Sequence, residues 1–264
     1  MTARPGGSRN TCPGGRVAQG VNIDIWSDVA CPWCYIGKRR FEKALAAFPH
    51  RDDVTVTWRS YQLDPTLPDH DDRSEAEYLA ASKGMPLDRV RQMFRHVTEQ
   101  AAAEGLDYDF DALVVANSMK AHQLIQLAKD TASTDSTDST VDAVEEALFR
   151  AHFEDGEDIG SAEVLTRVGT AAGLDADEIA AELQSGSRIP AVQEDVRRAA
   201  SLGLNSVPTV VLDMSLAVPG AQPVEVFTRA LEQQWAATHP APTTLPTVPG
   251  VSDDASCGPD GCRL

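Results

Sequence analysis

Cys31 and Cys34 stand two residues apart in the stretch DVACPWCYIG (28–37), with Pro32 and Trp33 between them. Two thiols at this spacing can close a passive staple, supply half of a zinc site, or cycle between dithiol and disulfide. Zinc needs four ligands. The only other close cysteine pair, Cys257 and Cys262, lies more than 220 residues downstream, and no two of the six histidines are spaced as a ligand pair. No metal is expected. A redox pair is the reading that these residue types and this context support best.

That chemistry needs a particular local geometry. In CPWC, Cys31 falls at a helix N-cap, Pro32 at the first helical position and Cys34 one turn in. Proline is favoured at that first position because the amide it lacks has no intrahelical partner. Free backbone N–H groups and the positive end of the helix dipole then point at the Cys31 sulfur and favour its thiolate, which is the attacking species. Cys34, under the helix, is expected to stay a thiol and act as the resolving group. A second motif, SVPT (206–209), opens a strand. Proline inside a strand forfeits a ladder hydrogen bond, so it belongs at a strand start or an edge. A cis Val207–Pro208 bond is expected there, exposing the Val207 backbone to an incoming peptide.

The elements that must position these residues follow from periodicity. Val21, Ile23 and Ile25 alternate with polar residues, and VTVTWRSY (54–61) alternates again; both read as strands. Phe41, Leu45 and Phe48 recur at helical spacing between them, and Pro49 closes that helix. Residues 75–203 carry helical periodicity with no strand pattern. Helices are expected after Pro86, over 112–129, and near 141–153, 161–172, 176–184 and 189–203, with TASTDSTDST (131–140) as a polar surface loop. Strand character returns at 206–213 and near Leu216, followed by a helix over 223–235. The reading is an α/β chain whose βαβ…ββα frame is interrupted by an all-helical insertion: a disordered lead-in over 1–20, a discontinuous domain over 21–74 and 204–236, the helical block over 75–203, and an extended tail over 237–264.

Composition sets the outer bounds. The net charge of −17 over 264 residues argues against a nucleic acid or an anionic membrane as partner. No apolar run is long enough to span a bilayer. The first twenty residues have no apolar core of a secretory signal, so a cytoplasmic location is expected. No hydrolase or nucleotide-binding fingerprint is present. Cys257 and Cys262 flank the turn residues GPDG, which brings their sulfurs together at small loop-closure cost. The 22 residues from Trp235 to Cys257 span at most about 75 Å, so this pair is expected to act as a secondary redox pair exchanging electrons with Cys31–Cys34. Cys12 stands alone in the lead-in, with no other cysteine near it in the sequence.

CPWCYIGKRRFEKAL, NSMKAHQL (117–124), EALFRAHFEDGEDIG (146–160), SVPTVVLD and PGAQPVEVF together resemble the DsbA-like thioredoxin-fold oxidoreductases, and within them the cytosolic FrnE-type branch. The resemblance covers about residues 21–236. It implies a thioredoxin fold with a helical insertion and dithiol–disulfide exchange. Cys31 is then the nucleophile, Cys34 the resolving thiol and Pro208 the cis-proline, with Pro32, Trp33, Val207 and Thr209 contacting substrate. It implies disulfide-containing proteins or small thiols as substrates and no tightly bound cofactor, with glutathione as a redox partner. Relatives on the same fold include glutathione-dependent isomerases of the 2-hydroxychromene-2-carboxylate type and kappa-class transferases, which is the alternative reading. Those enzymes generally carry serine or lack the second cysteine, whereas this chain keeps both. Asn117 and His122 fall on the "N…AH" stretch of the branch. Helix packing and capping accounts for them as well as chemistry does.

Overall fold

The computed structural model describes residues 20–131, 137–240, 257–258 and 261–262. The lead-in and most of the tail therefore lie outside the described residues. β1 (Val21–Ser27) runs into α1 (Pro32–Ala47), and β2 (Val54–Ser60) returns parallel to β1 after a short 3-10 turn at Arg51–Asp53. A four-residue strand, β3 (Asp71–Ser74), leads into α2 (Glu75–Lys83) and α3 (Leu87–Ala103). After β4 (Val114–Val115) come five helices: α4 (Met119–Thr131), α5 (Thr137–Phe153), α6 (Ala162–Ala171), α7 (Ala176–Ser185) and α8 (Ile189–Ser201). β5 (Thr209–Leu212), β6 (Leu216–Pro219) and α9 (Val224–Thr238) close the frame. Two-residue strands β7 (Cys257–Gly258) and β8 (Gly261–Cys262) pair antiparallel, with Cys257 opposite Cys262.

The main sheet has the order β2-β1-β5-β6, with β5 antiparallel to both of its neighbours. β1 is buried on both faces because each face has its own cover. Ile23, Ile25, Val210 and Leu212 pack with Phe41 of α1 and Phe227 of α9, whose rings meet edge to face at 5.8 Å. Trp26 and Val211, from the opposite pleat, pack on Ala199 of α8. The alternation read from the sequence is thus the alternation between two helical covers rather than between core and water.

The α8 cover is tied down by Asp195, which is buried. Its carboxylate accepts from the Ser60 amide, Gln126 Nε2, Lys129 Nζ and Arg59, and its carbonyl accepts the Trp26 indole N–H. One side chain therefore joins α8 to β2 and α4.

Four local expectations are corrected. Residues 112–129 are not one helix, and the helical block is not free of strands: β4 pairs with β3, and α4 starts only at Met119. Asn117 explains the break. Its Oδ1 accepts from the Met119 amide and from Gln62 Nε2, while its Nδ2 donates to the Leu67 carbonyl. A side chain that caps and cross-links in this way replaces helical backbone bonds. Polar residues from Thr137 onward belong to α5; 132–136 lie outside the described residues. The strand expected over 206–213 is confined to Thr209–Leu212, because Ser206–Pro208 form the loop that enters it.

Asp195→Ala would strand four donors in a dry interface, so it should destabilise the protein by about 3 kcal/mol. In thermal unfolding this is a fall in Tm of roughly 6–12 °C for a chain of this size.

Candidate active site

α1 opens on Cys31, whose backbone is extended as an N-cap, with Pro32 in the first turn and no acidic residue within that turn. The Cys31 amide donates to the Asp28 carbonyl at 3.0 Å, and the Cys34 amide to the Cys31 carbonyl at 2.9 Å. Both thiols are free and buried, Cys31 at 5% exposure and Cys34 at 1%. The Cys31 Sγ lies 3.7 Å from the Val207 carbonyl oxygen. That contact joins residues 176 positions apart and brings the two sequence motifs together. The Val207–Pro208 peptide is cis.

Gly37, two turns into α1, explains how the helix approaches so closely. A Cβ built on it would lie 2.8 Å from Pro208 Cγ, so the helix presents bare backbone to the Pro208 ring. The Pro208 carbonyl accepts from the Gly220 amide, which anchors the loop to the end of β6. Thr209 is buried and donates its hydroxyl to the Ser206 carbonyl. Pro32 and Trp33 are half-buried at the rim, Trp33 with its ring 6.1 Å from that of His96. Tyr108 donates its hydroxyl to the Pro32 carbonyl at 2.8 Å and stacks on Phe153.

The electrostatics are asymmetric about the pair. Burial pushes the Cys34 thiol well above its ordinary value, and the hydrogen bond and charge of Cys31 add to the rise. Beneath the β1–α1 turn, Asp28 is fully buried. Burial acts to raise its carboxyl, yet His122, the Leu63 amide and Ser118 outweigh this and hold it below the usual carboxylate range. Its Oδ2 accepts from the Leu63 amide at 2.7 Å; its Oδ1 accepts from the Ala30 amide and lies 3.3 Å from His122 Nε2. One carboxylate thereby holds the turn before Cys31, the chain after β2, and α4. Lys38 is also buried. It pairs with Asp142 at 3.0 Å, with Glu146 at 3.3 Å and with Glu42, so α1 is pinned to α5. Among the described residues no group of acidic, histidine and cysteine side chains could hold a metal ion.

The geometry can be set against known proteins. The model of the DSBA-like thioredoxin domain matches residues 22–232. The chain belongs to the DSBA-like thioredoxin domain family. It is similar to the probable DsbA oxidoreductase SCO1869 from Streptomyces coelicolor, with 40% identity, 92% of this chain and 99% of that one covered, and a TM-score of 0.76. The cytosolic disulfide reductase DsbM from Pseudomonas aeruginosa, solved also with GSH, shares the fold at 18% identity, with 82% and 99% covered and a TM-score of 0.57. A 2-hydroxychromene-2-carboxylate isomerase shares it at 13% identity, with 82% and 97% covered and a TM-score of 0.58.

Within this DSBA-like chain, the structure draws Cys31, Cys34, Pro32, Trp33, Val207 and Pro208 into one site, with Thr209 just inside it. Cys257 and Cys262 are described only as backbone partners in the tail ribbon. Sequence reasoning passed over Asp28, Gly37, Lys38 and Tyr108. Asp28 and Gly37 lie within DVACPWCYIG, but a carboxylate three residues before an N-cap has no local signature of burial. His122, which the sequence gives no specific role, lies against Asp28.

Asp28→Asn should destabilise the protein by about 1–3 kcal/mol at neutral pH. The folded-state carboxyl lies below its ordinary value, so this contribution is full above about pH 4 and is lost as pH falls through the folded value. Urea midpoints of wild type and variant should therefore converge in acid. Gly37→Ala should also destabilise, by about 1–3 kcal/mol of overpacking against Pro208, although alanine is the better helix former.

Proposed function

We propose that the chain is a thiol–disulfide oxidoreductase that exchanges or isomerises disulfides of proteins through Cys31 and Cys34. The observation that carries this reading is the asymmetry of the pair: one sulfur at the helix start facing the Val207 carbonyl, the other one turn into the helix with its thiol pushed up. In the reductive direction the Cys31 thiolate attacks a substrate disulfide, forming a mixed disulfide and releasing the first substrate sulfur as a thiolate. Cys34 loses its proton and attacks the Cys31 sulfur. The second substrate sulfur leaves and is protonated, and the substrate has gained two electrons while Cys31–Cys34 becomes a disulfide. Part of what holds Cys34 protonated is Cys31 itself; capping Cys31 removes that part and readies Cys34 for the second step.

Substrate is framed by Pro32, Trp33 and Val207, with Pro208 facing the dithiol and Thr209 fixing the Ser206 carbonyl from inside. Retention of both cysteines favours exchange over the glutathione-dependent isomerase or transferase chemistry of other proteins on this fold. Glutathione enters instead as the small thiol that recycles the pair, in line with the GSH-bound DsbM. The FrnE-type branch, a cytoplasmic setting and the division into a discontinuous thioredoxin-like domain (21–74, 204–236) and a helical insertion (75–203) complete the proposal. Cys257 and Cys262 are assigned the secondary redox step.

Cys31 should be alkylated by iodoacetamide at least tenfold faster than Cys34 at pH 6, and Cys31→Ser should abolish insulin reduction. Equal rates for the two thiols would overturn the assignment of nucleophile. Cys34→Ser should accumulate mixed disulfides on Cys31, and those formed within the chain should map to Cys257 or Cys262 by non-reducing peptide mapping. Unchanged turnover after deleting 250–264, with no such species, would remove the tail from the cycle.

A further inference from the structure

The period of two along β1 sends Ile23, Ile25 and Ser27 to one face of the sheet. On that face Ile23 and Ile25 pack with Phe41 of α1. Cys34 precedes Phe41 by seven residues, so the two share one stripe of the helix. The last residue of β1 and the inner cysteine of α1 therefore face each other across the same layer. Both are 1% exposed. The Ser27 backbone is fully used: it lies in register with Ser60, and its carbonyl accepts the Tyr61 amide. Its side chain is not. Ser27 Oγ is closed off from solvent and has no hydrogen-bond partner.

A buried hydroxyl with nothing to bond costs the fold stability. It is accounted for when its partner forms during the reaction. Cys34 is the group nearby that must gain a charge. In the resting dithiol, burial and Cys31 keep its sulfur protonated, whereas the Asp28 backbone and the Ser27 hydroxyl act the other way. The remaining polar side chains around the pair are committed elsewhere. Lys38, one turn further along α1, is held by Glu42, Asp142 and Glu146. The Asp28 carboxylate faces Ala30, Leu63 and His122, and the Tyr108 hydroxyl donates to the Pro32 carbonyl. Ser27 has the uncommitted O–H.

We propose that Ser27 serves the second step of exchange: its hydroxyl turns to the Cys34 sulfur as this becomes a thiolate and holds it by an O–H···S bond during the attack on Cys31. The inference rests on the exchange reading. The Cys34 proton passes to the substrate thiolate set free in the first step. An electron pair on Cys34 then forms the bond to the Cys31 sulfur, the bond from Cys31 to substrate breaks, and the second substrate sulfur leaves with that pair. Ser27 keeps its own proton throughout.

Ser27→Ala removes the hydroxyl and little else. Because that hydroxyl is unpaired in the dithiol, the reduced variant should melt no lower than wild type. In a Cys31→Ser background, which frees Cys34 from its coupled partner, the pH profile of iodoacetamide alkylation at Cys34 is read by peptide mass mapping. Adding Ser27→Ala should move this profile up by about one unit, the tenfold effect of losing a hydrogen bond to a charged group. With Cys12→Ser, Cys257→Ser and Cys262→Ser in place, dithiobis(2-nitrobenzoate) reports the two steps separately. Attack by Cys31 releases the first thionitrobenzoate and attack by Cys34 the second. Ser27→Ala should leave the first release unchanged and slow the second about threefold at pH 7, since a tenfold loss of thiolate is partly offset by a more basic and more reactive sulfur. Alkylation of Cys34 needs no disulfide substrate, so it tests Ser27 independently. Absence of a second release in the protein with Ser27 intact would instead count against the exchange reading. The proposal is overturned by an unmoved Cys34 profile, by an unchanged second release, by a first release slowed as much as the second, or by a lowered melt, which would mark the hydroxyl as structural.

Discussion

A buried carboxylate beneath the dithiol organises this protein. Burying an ionised acid is costly unless donors surround it, and Asp28 draws its donors from three separate places. The Ala30 amide belongs to the β1–α1 turn, the Leu63 amide to the chain after β2, and His122 to α4. Each donor fixes a segment whose position matters for chemistry. The turn aims Cys31, the segment after β2 lines a cavity beside Pro32, and α4 fastens the helical block to the sheet. Each donor removed would leave part of that buried charge unsatisfied, so the three segments are coupled through one carboxylate.

The second constraint is steric. α1 approaches the loop before β5 only because Gly37 has no side chain where the Pro208 ring lies. The helix thereby places Cys31 against the Val207 carbonyl. The buried Lys38, paired with acids of α5, holds the far side of the same helix. Close packing on one face and ion pairing on the other leave α1 little freedom to rotate, so the difference between an outer and an inner cysteine persists.

A cover of helices on both faces of the sheet has a further consequence. Because the helical block is stitched to the sheet by Asp195 and Asp28, its aromatic side chains come within reach of the active-site segment. Tyr108 bonds the Pro32 carbonyl, and Phe110 and Phe153 line the cavity beside Pro32. The segment that carries the dithiol is thus walled on one side by the helical block.

Much of this was legible in the sequence. Cys31 at an N-cap, Pro32 in the first turn, the alternation of Val21, Ile23 and Ile25, and a proline where a strand begins are local signals, since helix starts and strand faces depend on neighbours a few residues away. Local signals also misled. Val114 and Val115 fit a helical stripe, but pairing with β3 and the Asn117 side chain made them a strand followed by a break. What the sequence determined by itself was the chemistry of the pair and the order of elements around it. Only the tertiary structure decided that Asp28 is buried among donors from three elements, that Gly37 receives Pro208, and that Ser27 is left with an unpaired hydroxyl. These depend on contacts between residues far apart in the chain, and burial, which sets the charge and reach of each group, exists only once those contacts have formed.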